Sequence, residues 1–152
     1  MPSAELFLDS SALVAGIISP NGGARALLLL ADIGLISIVV SEQVVAETER
    51  ALARKAPEAL AYFRQALKLV VDRIRRDLRP QEVRRHQDII QHKTDVPIVV
   101  AAMKAGVDYL VTHNRRHFID EPRVAERSGL NIGTPGDALD WLRSRGVIRE
   151  NK

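Results

Sequence analysis

The feature that most restricts the fold is an alternation. Short apolar runs recur along the chain: ELFLD at 5–9, LISIVV at 35–40, KLVVDRI at 68–74, VDYLVT at 107–112 and LNIGTP at 130–135. They are too short for confident helices and several are rich in β-branched residues, so they read as strands. Segments with helical spacing lie between them. Strand and helix in alternation predict an α/β fold, a parallel sheet with helices on both faces.

The helices can be placed from their stripes and ends. In SSALVAGIIS, residues 10–19, Leu13, Val14, Ile17 and Ile18 fall on one face. PNGG at 20–23 is turn chemistry, and ARALLLLADIG at 24–34 stops at Gly34, a C′ glycine. SEQVVAETERALARK at 41–55 starts with Ser41 as N-cap and Glu42 in the first turn. Pro57 opens a helix to about Lys68. RPQEVRRHQDIIQ at 79–91 reads as a polar, amphipathic helix. TDVPIVVAAMKAG at 94–106 is apolar nearly all round, hence a buried helix. NRRHF at 114–118 reads as a turn or short helix, and PGDALDWLRSR at 135–145 as the last helix.

With 152 residues, 46% hydrophobic and 27% charged, the chain suits one domain over 1–152, its core spanning about 5–142 and a polar tail 143–152. No apolar run approaches the ~20 residues of a membrane span, and the start lacks the pattern of a secretory signal. There are no cysteines, which excludes disulfides and Cys-based zinc sites and is compatible with a cytoplasmic location. The 22 Lys and Arg against 19 Asp and Glu give a net charge of +3. The arginines cluster at Arg73, Arg75, Arg76, Arg79, Arg84, Arg85, Arg115 and Arg116, an electrostatic footprint that suits contact with nucleic acid.

Ligand sites of such sheets gather at the carboxyl ends of the strands. Asp9 closes the first strand and Asn114 follows the VDYLVT strand. Asp95 starts the buried helix, and Glu47 borders the apolar stripe of its own helix. If these oxygens meet, their repulsion calls for a hard divalent cation. Carboxylate and carbonyl donors without Cys suit Mg²⁺ or Mn²⁺, which can support phosphodiester hydrolysis. Each residue also has a plain structural reading. Asp9 and Asp95 can cap helices, Glu47 can be solvated, and Asn114 can be a turn residue. His113 and His117 are four apart and could share a zinc ion, but no third ligand stands near them. Ser10 and Ser11 lie in no G-x-S-x-G elbow, SPNGGAR lacks the Lys-Ser/Thr of a phosphate-binding loop, and LDSS lacks the second Asp of a phosphoaspartate hydrolase. Trp141 reads as a packing residue.

FLDSS, SEQVVAETERAL and TDVPIVVAAMKAGVDYLVTHNRRHF, taken in that order, resemble the motifs of PIN domains, the ribonuclease fold of VapC-type toxins and their relatives. The resemblance implies a three-layer α/β/α fold with about five parallel strands, ordered 3-2-1-4-5 around the first. It makes Asp9, Glu47 and Asp95 the acidic metal-binding residues and puts Asn114 where many members carry a fourth Asp. Ser10 and Thr112 take the places of supporting hydroxyls. It implies an Mg²⁺- or Mn²⁺-dependent endoribonuclease, a toxin held by an antitoxin, and commonly a homodimer, for which ALVAGII and ALLLL offer an interface. Arg115 and Arg116 could grip RNA phosphates. Asn114 is the departure: an amide offers a carbonyl oxygen but no charge, so one metal is expected through Asp9 and Asp95, with a second weakened. The rival readings are an RNA-binding module without turnover, and an unrelated α/β domain with an acidic metal site, which the order of the strands tests.

Overall fold

Leu6, Phe7 and Leu8 are fully buried. They form β1 (Glu5–Leu8), the central strand of a five-stranded sheet. The computed structural model describes residues 4–149. The remaining strands are β2 (Ser37–Ser41), β3 (Val71–Arg75), β4 (Tyr109–Val111) and β5 (Asn131–Gly133). Their order is β3-β2-β1-β4-β5 and every neighbouring pair is parallel, the arrangement expected above. β1 and β4 are buried nearly throughout, as strands covered on both faces must be. β3, at one edge, alternates between half-buried and exposed and carries Asp72, Arg73 and Arg75.

The helices are α1 (Ser10–Ile18), α2 (Gly23–Asp32), α3 (Glu42–Lys55), α4 (Leu60–Leu69), α5 (Pro80–Arg85), α6 (Val96–Ala105), α7 (Pro122–Ser128) and α8 (Pro135–Ser144). α1, α2, α3, α4 and α8 form one set of packed neighbours, and α5, α6 and α7 a second, which gives the three layers. No single helix among the described residues is long and apolar enough to cross a membrane.

Local chemistry sets the boundaries. Ser41 caps α3 by accepting from the Val44 amide at 3.2 Å. α2 ends in a Schellman closure: the Gly34 amide reaches the Ala31 carbonyl and the Leu35 amide the Leu30 carbonyl, both at 3.0 Å. Gly34 has φ +82° there, and Gly106 ends α6 with φ +69°, values that disfavour any residue with a Cβ. Thr134 and Asp137 form a reciprocal capping box at the start of α8.

Three elements differ from expectation. The polar helix foreseen over 79–91 stops at Arg85. Ile89 and Ile90 turn into the core instead, while Lys93 and Arg127 take the Gln87 and Asp88 carbonyls that a longer helix would have used. α7 was not foreseen, because only Val124 of its seven residues is buried and so it shows no apolar period. The tail from 143 is also not simply polar surface. Val147 closes α8 with its amide on the Leu142 carbonyl, and Val147 and Ile148 pack on the core; residues 150–152 lie outside the described residues.

Gly133 gives a direct test of the β4–β5 edge. An added Cβ would overlap the Tyr109 hydroxyl and lie 2.7 Å from the Asp137 Cβ. Gly133→Ala is expected to cost roughly 1–3 kcal/mol by overpacking, a fall of several degrees in Tm in a thermal melt. An unchanged Tm would show that this edge yields freely.

Candidate active site

All five strands point their carboxyl ends to one edge, and the chain order switches beside β1, with β2 on one side and β4 on the other. Open parallel sheets bind ligands at such a switch point. Asp9 leaves β1 there and Thr112 leaves β4. The two stand side by side, since Leu8 is in register with Val111 and the Asp9 amide donates to the Val111 carbonyl at 3.1 Å.

Asp9 is 7% exposed. Its Oδ1 accepts from Ser11 Oγ at 2.6 Å and from the Ala12 amide at 3.0 Å, so it caps α1. Its Oδ2 accepts from Thr112 Oγ1. Thr112 Oγ1 in turn accepts from the Asn114 amide at 2.9 Å, and Ser11 Oγ from the His113 amide at 3.0 Å. The capping reading of Asp9 is therefore met. Burial pushes its carboxyl above the ordinary 3.8; the bonds from Ser11, Thr112 and Ala12 and the nearby His113 pull the other way and lose.

The network continues past β4. Asn114 Oδ1 accepts from the His117 amide at 3.1 Å and so caps a single π-helical turn, Arg115–Ile119. His117 Nδ1 lies 2.9 Å from Asp95 Oδ2. Asp95 ends a short 3₁₀ turn, Lys93–Asp95, at the N-cap position of α6, yet its side chain accepts nothing from that helix. The capping reading of Asp95 thus fails, and its carboxylate faces the β4 loop. Asp9, Thr112, Asn114 and Asp95 belong to one continuous chain of bonds that runs through His117.

Glu47 stands apart. It is half-buried beside the Val44, Thr48 and Leu52 stripe, less exposed than Glu49 and Arg50, and its Oε1 accepts from Gln43 at 3.1 Å. Ser10 opens α1, but the hydroxyl that reaches Asp9 is that of Ser11. Sequence reasoning missed Ser11 and His117 in these roles. A Ser two residues after a capping Asp was the available signal for the first. The second was hidden because a π turn, not an α-helix, follows Asn114. His117 is engaged by Asp95 and by His92, and among the described residues no third ligand joins it to His113 for zinc. Arg115 and Arg116 are exposed directly beyond Asn114. Arg73, by contrast, is spent on structure, pairing with Glu5 and reaching the Ala105 carbonyl.

The donor chemistry fits a hard cation: oxygens only, with a buried carboxylate whose hydrogen-bond partners are all neutral donors. Among the described residues no three Asp, Glu or His side chains already form a cage. Mg²⁺ is commonly held by one or two carboxylates, with water and substrate phosphate completing its shell. Asp9 and Asp95 are the residues that would hold such an ion, with Asn114 as a neutral neighbour.

Residues 5–116 match the family model described as the PIN domain. The chain belongs to the PIN-domain family. Solved structures with the same fold include VapBC2 from Rickettsia felis bound to a DNA fragment from its promoter, 18% identical with TM-score 0.61, covering 86% of this chain and 98% of that one. PAE2754 from Pyrobaculum aerophilum is 16% identical with TM-score 0.63, covering 93% and 96%. VapC20 from Mycobacterium tuberculosis, a Sarcin-Ricin loop cleaving toxin, is 21% identical with TM-score 0.50, covering 69% and 86%. No curated protein sequence matches the chain significantly.

In this PIN domain the raised Asp9 pKa has a stability consequence. A carboxyl that holds its proton more tightly when folded favours the fold below about 3.8, and that contribution is lost as pH rises through the native value. At neutral pH without divalent metal, Asp9→Asn is expected to melt at or above wild type, because the Ser11 and Thr112 hydroxyls can rotate to suit the amide. The gap should narrow towards pH 4. A clear loss of Tm at pH 7 would contradict this account.

Proposed function

We propose that this PIN domain is an Mg²⁺- or Mn²⁺-dependent endoribonuclease, the toxin of a toxin–antitoxin pair acting in the cytoplasm. The observation that supports it is the buried Asp9 carboxylate at the switch point, tied through Thr112, Asn114 and His117 to Asp95. A divalent ion, when bound, supplies the Lewis-acid charge for phosphodiester hydrolysis. Asp9 and Asp95 would hold it, Ser11 and Thr112 fix the angle of the Asp9 carboxylate, and Arg115 and Arg116 would bind phosphates of the RNA. Glu47 of α3 is the third acidic residue proposed to serve the same ion. The named toxins and complexes among the related structures support the toxin role, and an antitoxin partner follows from the same reading. The homodimer is assigned to the first two helices, where Ile18, Leu29 and Ile33 stay exposed.

Asp9→Asn and Asp95→Asn are each expected to lower metal-dependent cleavage of an unstructured RNA by about a hundredfold or more, on the scale of losing a key electrostatic group, while circular dichroism shows the fold intact. Cleavage that persists in both variants, or that survives EDTA in wild type, would sink the proposal.

One observation favours the rival reading of a weakened, RNA-binding PIN domain. Asn114 is neutral, and its carbonyl already accepts from the His117 amide. Asn114→Asp keeps that acceptor and adds a charge. Under the nuclease reading it should raise Mn²⁺ stoichiometry from one towards two, as calorimetry would show, and cleavage should rise with it. A binding module would gain ions without gaining turnover.

A further inference from the structure

The nuclease reading gives His117 no task, although this residue touches two of the candidate ligands. Its amide binds Asn114 Oδ1 at 3.1 Å, and its Nδ1 lies 2.9 Å from Asp95 Oδ2. An ionised carboxylate only accepts, so the ring nitrogen carries the proton and donates. The opposite face of the arrangement is also fixed: the His117 ring stacks on His92, centroids 3.3 Å apart and planes 13° from parallel. His92 begins the turn that bears Asp95, and its carbonyl accepts the Asp95 amide at 2.9 Å. Asp95 takes no bond from α6, so nothing in its own helix sets the direction of its carboxylate.

We propose that His117 is a positioning residue for the metal centre. Its donated bond occupies Asp95 Oδ2 and leaves Oδ1 for the cation, and its amide locks Asn114 into the same frame. His92 only backs the ring. The inference rests on the metallonuclease reading above. Without the donor, the Asp95 carboxylate turns freely about its terminal torsion and must be ordered each time an ion binds. Removing such outer-shell partners typically costs 10–100-fold in metal affinity or activity.

Two properties of His117 can be separated. His117→Phe keeps a flat ring on His92 and removes the donor. His117→Asn removes the ring but keeps an amide nitrogen near the position of Nδ1. His117→Ala removes both. The measurements are the Kd for Mn²⁺ alone by electron paramagnetic resonance, kcat and KM on an unstructured RNA, and Tm. Phe and Ala are expected to weaken Mn²⁺ binding 10–100-fold, with kcat falling more than KM changes, while Asn stays within about threefold of wild type. The Ala–Asn comparison carries the test if Phe fails to fold. Wild-type Mn²⁺ affinity in Phe or Ala, or an Asn variant as weak as Ala, overturns the positioning role and leaves the nuclease reading standing. A wild-type protein that neither binds Mn²⁺ nor cleaves RNA overturns both.

Discussion

A carboxylate taken out of water at the end of the central strand is the constraint on which the rest of this molecule turns. Asp9 cannot sit there without donors, and the donors come from three places: the first turn of α1, the Ser11 hydroxyl, and Thr112 at the end of the neighbouring strand. Those bonds join β1 to β4 at the point where the chain changes direction across the sheet. They make the site and the fold one object, since the contact that orders the carboxylate also fixes where the β4 loop begins. The bonds remain too weak to overcome the cost of burial, which is the state a positive ion relieves.

How the proposed ion would be held follows from which oxygens are already occupied. Both Asp9 oxygens carry hydrogen bonds and one Asp95 oxygen faces His117, so the protein offers a few directed lone pairs rather than a closed cage. That suits a cation that keeps most of its water and takes part of its shell from a phosphate. Under the proposed nuclease reading, substrate would then be part of the coordination, and ion retention would depend on RNA binding.

Much of the fold was legible because strands buried on both faces must be apolar throughout. LFL and YLV could be placed without any partner in view, and the caps at Ser41 and Gly34 needed only local chemistry. α7 was not legible, because a helix that buries one side chain leaves no period to read. The helix over 79–91 was overestimated, because Lys93 and Arg127 compete for its carbonyls from outside the segment. The place of Asp9 at the end of a strand was legible from the apolar run before it, while Thr112 entered only through the family resemblance. Choosing between Ser10 and Ser11 was a matter of rotamer and turn geometry, which residue identity does not encode. His117 entered sequence reasoning only as a zinc candidate with His113; the π turn redirects it towards a residue 22 positions earlier.

Gly34 and Gly106 lie where helices hand the chain to the beginnings of strands, on the rim opposite Asp9. The turns on that rim answer to backbone conformation, whereas the Asp9 rim carries both the polar network and tight packing at Gly133. A residue with a Cβ at either glycine would strain its turn at the far end of the sheet from Asp9. Sequence drift on that side is therefore screened by backbone strain at these two turns rather than by the hydrogen bonds around Asp9.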